Sequence, residues 1–336
     1  MSIRIKAAVL LTVAVMVMLL AVGIGSVYIP PGDIVEIVLG KLSGESTLLP
    51  THITGIVWNM RLPRVLLAFM VGALLSVSGT IMQSVLRNPL ASSYTLGVSA
   101  GAALGVGVAV FSGLSMAVLG VFTLPVIGLS AGILTVVLAV TFAQRIDKSL
   151  SNHTIILVGM VFSLFINALL TLLSSLSGET LERVIYWQMG SFALKDWSFV
   201  YALLPVCIVG ILIAVRYSRE LDNLTFGEEA AFAVGVNVKK TKWLLLSVSA
   251  ALTGCAVALA GVIGFVDLVA PHMARKLFSS AHRIVLPMSA VLGGILMVVA
   301  DVVARTIASP SELPVGAVTA VIGAPFFVYI YFKKKR

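Results

Sequence analysis

A chain of 336 residues that is 59% hydrophobic and only 11% charged, with a mean hydropathy of +1.09, is too apolar for a soluble globular domain. Its apolar residues come in long blocks between short charged loops, so the sequence reads as an all-α polytopic membrane protein, one transmembrane domain over residues 1–336 with no linker or low-complexity segment. The net charge of +9 asks for no nucleic-acid partner, because cytoplasmic anchoring in a lipid bilayer accounts for it.

The first span is residues 7–27, behind Arg4 and Lys6. About twenty residues at 1.5 Å each cross ~30 Å of hydrocarbon, and the run is too long for the apolar region of a signal peptide. Pro30, Pro31 and Gly32 end it, and residues 33–60, with Glu36, Lys41, Glu45, His52 and Asn59, read as an external segment holding one short helix. The sequence RLPR, Arg61 to Arg64, leads into span two, residues 65–86, which RNPLASS follows. Span three, residues 95–111, carries Gly97, Gly101 and Gly105, a small-xxx-small pattern that lets another helix approach closely. Span four is residues 116–142, starting at Met116. Span five, residues 155–175, carries Ser163, Asn167 and Thr171 four apart on one face, where they either bond neighbouring helices or face water.

A polar turn, residues 177–196 from Ser177, leads to span six, residues 199–215, and then to the longest charged loop, residues 216–242. Span seven is residues 243–263, span eight is short and marked by Pro271, span nine is residues 284–305, and span ten is residues 315–332. Ten spans put both termini on one side. If that side is the cytoplasm, seventeen of the 23 basic residues lie inside, the tail Lys333, Lys334, Lys335 and Arg336 among them; Lys41, Arg61, Arg64, Arg183, Lys195 and Arg305 lie outside. That asymmetry is what the positive-inside rule requires.

Several features bear on function. In GEEAAFAVGVNVKK a short helix-forming run, Glu228 to Val234, sits between Gly227 and Gly235, with Glu228 and Glu229 at the end the helix dipole favours. It reads either as a solvated loop or as a docking helix that presents Phe232 and Val234 to a soluble partner. At the outer rim Arg61, Arg64 and Arg305 are cations of fixed geometry, and Asp301 stands one turn before Arg305, so an i,i+4 pair would neutralise both. Cys207 and Cys255 lie alone in apolar runs, and the four histidines have no ligand spacing, so neither a disulfide nor a metal site is expected. The chain has no GxxxxGK[ST] phosphate loop, so it is not expected to be an enzyme.

The stretch RLPRVLLAFMVGALLSVSGTIMQSVLRNPLASSYTLGVSAGAALG, with GEEAAFAVGVNVKK, GVIGFVDLVAPHMAR, ADVVAR and SELPVGAVTAVIGAPFF, resembles the FecCD family. These are permease subunits of type II ABC importers for iron-siderophore complexes, haem or cobalamin, and the resemblance covers nearly the whole chain. It implies a ten-helix permease in the cytoplasmic (inner) membrane that pairs with a second copy or a paralogue. Two ATPase subunits below would carry ATP and magnesium, and an extracytoplasmic substrate-binding protein would sit above. It makes Gly227, Glu228, Glu229, Phe232, Val234 and Gly235 the ATPase coupling element and Arg61, Arg64 and Arg305 the contacts for the binding protein's acidic residues. It places a cytoplasmic gate at Asn88 and Leu90 of RNPLA and at Asn152 and His153, where SLSNHT departs from the small hydroxyl residues usual there. It lines the central pathway with spans five and ten, hence Ser163, Asn167, Thr171 and Thr319. The expected substrate is an iron(III)-siderophore complex. The competing class is an ion-coupled secondary transporter, which needs ionisable groups near the bilayer midplane; Asp267 and Asp301 are its only acidic candidates in the helical second half, and both are expected near an end.

Overall fold

The computed structural model describes residues 2–44, 49–114, 119–176 and 178–333; Glu45, Met116, Ser177, Lys334, Lys335 and Arg336 lie outside the described residues. Those residues form fifteen α-helices and no strand. Seven helical stretches are long and apolar enough to cross a membrane: α1 (Ile3–Gly23), the stretch Thr51–Val85, Gly120–Ile146, α7 (Asn152–Leu176), α9 (Trp197–Arg216), α12 (Val238–Ala260) and α14 (His282–Thr306). The apolar helices α5 (Val98–Phe111) and α15 (Val315–Lys333) are shorter over their described apolar windows, and α13 (Val266–Leu277) has 12 residues. The protein is thus a multi-pass membrane protein.

The helix α4 (Leu62–Val85) is the centre of the bundle, with every residue from Met70 to Val85 buried. It packs against α14, α12, α13 and α9. Its sequence explains the position: Gly72, Ala73, Ser76, Ser78, Gly79 and Thr80 give it a narrow surface, and in lipid close backbone approach is what drives helices together. A methyl at Gly72 would overlap the Gly293 carbonyl of α14, and one at Gly79 would overlap the Asp267 backbone of α13. The hydroxyl of Ser78 lies 2.7 Å from those of Ser93 and Ser249 and 2.6 Å from that of Thr253, so polar side chains in the buried seam satisfy one another.

Gly101 and Gly105 of α5 face α6 (Thr123–Ile146). A methyl at Gly101 would overlap Thr135, and one at Gly105 would lie 2.5 Å from Ala131 Cβ. Gly97 adopts φ 86° at the corner before α5, a left-handed conformation that costs glycine little.

Four expectations need correction. The external segment 33–60 holds α2 (Pro31–Ser43), but its second half is helical: α3 (Thr51–Gly55) and a π-helical turn, Ile56–Arg61, run directly into α4. The wide turn lies just before Pro63, which lacks an N–H and whose ring crowds the preceding turn of a regular helix. The polar turn 177–196 contains α8 (Gly178–Met189), whose buried Val184 and half-buried Trp187 pack beside α5. The loop 216–242 begins with α10 (Ser218–Thr225), an amphipathic helix that buries Leu221 and Leu224. Finally, α12 starts at Val238 rather than at residue 243, because the Asn237 side chain caps it by accepting from the Lys240 N–H at 3.1 Å.

Candidate functional site

Candidate residues gather at the two ends of the bundle. At the end that the charge asymmetry assigns to the outside, all three candidate arginines are engaged within the chain. Arg61 is 7% exposed. It donates to the Val22 and Gly23 carbonyls at 3.0 Å and to Val27 at 2.6 Å, closing the C-terminus of α1, where a cation complements the helix dipole. Arg64 grips Asp301 with Nε at 3.0 Å from Oδ2 and Nη2 at 2.8 Å from Oδ1; its Nη1 and Nη2 reach the two Glu312 carboxylate oxygens at 2.7 and 2.9 Å. The expected Asp301–Arg305 pair is the weaker contact at 3.7 Å, and Arg305 donates instead to the Ala21 carbonyl.

These arginines, with Lys195, Asp196, Ser309 and Glu312, line an open cavity of about 600 Å3. The Lys195 ammonium stands 4.3 Å from the centre of the Phe199 ring, and burial lowers its pKa. Glu312 is held below its ordinary pKa chiefly by the hydrogen bond from Arg64. Glu312 is the outer-end residue that sequence reasoning missed; SELPVG offers only an acid in a loop, whose partner is 248 residues away.

At the opposite end α11 (Glu228–Ala233) is a six-residue helix between Gly227 and Gly235, whose φ angles of 122° and 88° suit glycine. Glu228 and Glu229 occupy its first turn. Phe232 is 76% and Val234 66% exposed, and Phe226 beside them is also exposed. An open groove of about 660 Å3 runs past Phe232, lined by Lys148, Ser149, Glu229 and Lys239 among others. The preceding helix α10 is pinned to α14: Asp222 Oδ1 accepts from the His282 N–H at 3.0 Å and lies 2.6 Å from His282 Nδ1.

The gate candidates lie on two turns at this end. Asn88 Oδ1 accepts from the Leu90 N–H at 2.9 Å, shaping the turn after α4, and the Leu90 side chain is exposed. Asn152 opens α7 with a buried carbonyl oxygen that has no hydrogen bond among the described residues, and His153 beside it is exposed. The turn before them is built by Asp147, whose carboxylate accepts from the Ser149 N–H at 2.8 Å and the Ser151 N–H at 2.9 Å. The hydroxyls of Ser149 and Ser151, and after them these N–H bonds, hold Asp147 well below the usual carboxylate range.

The pathway candidates do not share one environment. Successive steps of four residues rotate about 40° around a helix. Ser163 faces the Gly97 corner, where a methyl would lie 3.1 Å from its hydroxyl, whereas Asn167 and Thr171 are exposed. Thr319 is buried on α15, at a mostly apolar recess of about 180 Å3 formed with α13 and α14. Asp267, in the first turn of α13, is also buried; one carboxylate oxygen accepts from the Ser92 hydroxyl and the other has no hydrogen bond among the described residues.

Comparison with known proteins gives a consistent answer. The uncharacterized ABC transporter permease protein YvrB of Bacillus subtilis is 41% identical over 283 residues, 84% of this chain and 80% of that one. The Fe(3+) dicitrate transport system permease protein FecD of Escherichia coli is 37% identical, over 83% of this chain and 86% of that one. Other relatives are named as permeases for hemin and for cobalamin. A solved structure described as a metal-chelate type ABC transporter in an inward-facing conformation matches with a TM-score of 0.84 at 31% identity, covering 96% of this chain and 97% of that one. The FecCD transport family profile matches residues 11–333, nearly the whole sequence. This chain, a transport permease of the ABC class by fold and by sequence, belongs to the FecCD transport family.

Proposed function

We propose that the chain is the permease subunit of an ATP-driven importer that moves an iron(III)-siderophore complex across the cytoplasmic membrane. It takes the complex from an extracytoplasmic binding protein and is driven by separate ATPase subunits, which hold the ATP and magnesium. The observation that carries this reading is α11, a helix framed by two glycines that offers Phe232 and Val234 to solvent at the end richest in basic residues. Exposed aromatic and branched side chains on a short rigid helix suit a docking contact with a soluble partner.

The outer end supports the other half of the reading. Glu312 is the more exposed of the two acids on Arg64, so an incoming carboxylate of a binding protein would compete with it for the outer Arg64 donors while Asp301 keeps the guanidinium in place. Arg61 and Arg305 would then act by holding the rim in shape and adding positive potential, which speeds and orients docking.

On this reading α5, α13 and α15 would complete the seven long stretches to ten spans; an even number would put both termini on one side, and the basic residues favour the cytoplasm for that side. The outward face of α7, with Leu164, Phe165 and Leu172 exposed, would be covered by lipid and by a second permease, a copy of this chain or a paralogue. Asn167 and Thr171 would face the pathway between the two, with Asn88, Leu90, Asn152 and His153 at its inner mouth.

The test is uptake into vesicles holding the purified chain, its ATPase subunits and ATP, with the cognate binding protein loaded in turn with a ferric siderophore, ferric citrate, hemin or cobalamin. The proposal predicts ATP-dependent accumulation of the ferric siderophore. Exclusive uptake of hemin or cobalamin would correct the substrate, and uptake driven by an ion gradient without ATP would overturn the importer.

A further inference from the structure

The short helix α11 and the turn before α7 are separated by some eighty residues of sequence, and one buried cation joins them. Lys242, in the second turn of α12, has a side chain with no exposed surface. Its Nζ lies 2.5 Å from Glu228 Oε1 on α11 and donates to the Leu150 carbonyl at 2.7 Å. Lys239 and Lys240 on the same helix are exposed, so a lysine at this end of α12 has water within reach elsewhere. Taking an ammonium out of water is costly unless its donors are met, and an apolar side chain would fill the same space without that cost. What the lysine adds is connection, because two charge-assisted or carbonyl hydrogen bonds from one atom fix three chain segments to each other.

Both attached segments are stiff. Leu150 is itself fully buried with a φ of 56°, in the turn that Asp147 organises, and Asn152 opens α7 two residues later. Glu228 is the first residue of α11, four positions before the exposed Phe232. Gly227, which precedes the helix, lies near the other inner turn: a methyl there would lie 3.6 Å from Nη1 of Arg87, the residue before Asn88. Of the two inner turns, the one before α7 is therefore bonded to the helix, through Lys242.

We propose that Lys242 is a positioning residue of the transport cycle, which joins the coupling helix to the turn before α7 through Glu228 and the Leu150 carbonyl. Displacement of α11 by the partner below is then delivered to Asn152 and His153 as movement of one rigid body. The inference rests on the reading of α11 as the ATPase contact.

The test uses the assembled transporter in vesicles, with Lys242→Met and Lys242→Arg compared with the unaltered chain. Uptake, ATP hydrolysis and co-purification of the ATPase subunits are measured for each. A His153→Cys reporter is labelled with a water-soluble maleimide with and without ATP, and the same chain lacking the reporter corrects for Cys207 and Cys255. The proposal predicts that Lys242→Met still co-purifies with the ATPase and hydrolyses ATP, while uptake per ATP falls about tenfold or more. Residue 153 should no longer change its labelling rate with ATP, and Lys242→Arg should restore most of both. Uptake per ATP within twofold of normal, with ATP-dependent labelling intact in Lys242→Met, would overturn it. Should Lys242→Met fail to insert, Glu228→Ala alters the solvent-reachable partner and is read by the same labelling, where an unchanged ATP response overturns the proposal. Failure of the unaltered chain to bind any ATPase overturns the reading of α11 itself, an outcome distinct from failure of the Lys242 linkage.

Discussion

Arg64, in the first turn of α4, and Asp301, in the last turns of α14, share a fork of hydrogen bonds between 2.8 and 3.1 Å across 237 residues of sequence. The Asp301 side chain is 1% exposed and that of Arg64 12%. Removing one member of a buried pair costs about 3–5 kcal/mol when the other charge is left unmatched; Arg64 would keep its two bonds to Glu312, so the cost here should fall below that range. Asp301→Ala should accordingly lower the thermal midpoint of the detergent-solubilised protein by several degrees. Glu312→Gln, on the exposed side of the same guanidinium, should cost at most about 1 kcal/mol. Equal effects from the two would contradict the division of labour between these acids.

The helices α4 and α14 pack tightly at Gly72 and Gly293, where a methyl on either would overlap the other helix. Gly293→Ala should destabilise the fold by about 1–3 kcal/mol, the usual range for overpacking. Gly264→Ala, where an added methyl meets nothing within 4 Å, is the control and should be close to neutral. Size-exclusion profiles and thermal midpoints of the two variants make the comparison.

At the opposite end, Phe232→Ala combined with Val234→Ser should weaken ATPase co-purification about tenfold or more, as expected for anchor side chains at an interface. Both residues are largely exposed in the isolated chain, so its thermal midpoint should not move. Full co-purification after both changes would remove α11 as the contact.

Glu312 and Asp147 set an acid limit on stability. Each carboxylate has a folded pKa below its unfolded value, Glu312 through Arg64 and Asp147 through the serines of its turn. Each contribution is therefore complete above the ordinary carboxylate pKa, 4.5 for Glu and 3.8 for Asp, and is lost as pH falls through the lower folded value. Thermal midpoints measured from pH 6 downward should stay level to about pH 4.5 and then fall. The fall should be shallower in Glu312→Gln and Asp147→Asn, and a decline beginning well above pH 5 would point to other groups.

Hydropathy alone marked out the long helices, because a span needs twenty or so apolar residues and little else, and α7, α9 and α14 begin and end within a few residues of where composition puts them. Composition misled wherever a polar residue is buried or a helix is amphipathic. Thr51–Arg61 looks external because of His52 and Asn59, yet it continues α4; α8 and α10 bury only one side, so their mean hydropathy hides them. The glycines around α11 and the small residues of span three were legible, since each reports a local backbone demand. Lys242 and Glu312 were not, because a lysine at a helix start and a glutamate in a loop have the same sequence signature whether they face water or a partner 92 or 248 residues away. Arg61 shows the converse: its place at the head of RLPR suggested the surface, and the α1 carbonyls that hold it inside are invisible to any local pattern.

The central claim is that this chain is moved by ATP hydrolysed on another polypeptide, through α11. Its most direct measurement is uptake of a ferric siderophore by vesicles holding the chain with its ATPase subunits and loaded binding protein, with ATP present or absent, and with Phe232→Ala/Val234→Ser as comparison. The account predicts uptake only with ATP and its loss in the double variant. Uptake that proceeds without ATP or ATPase subunits, or that survives intact in the double variant, would contradict it.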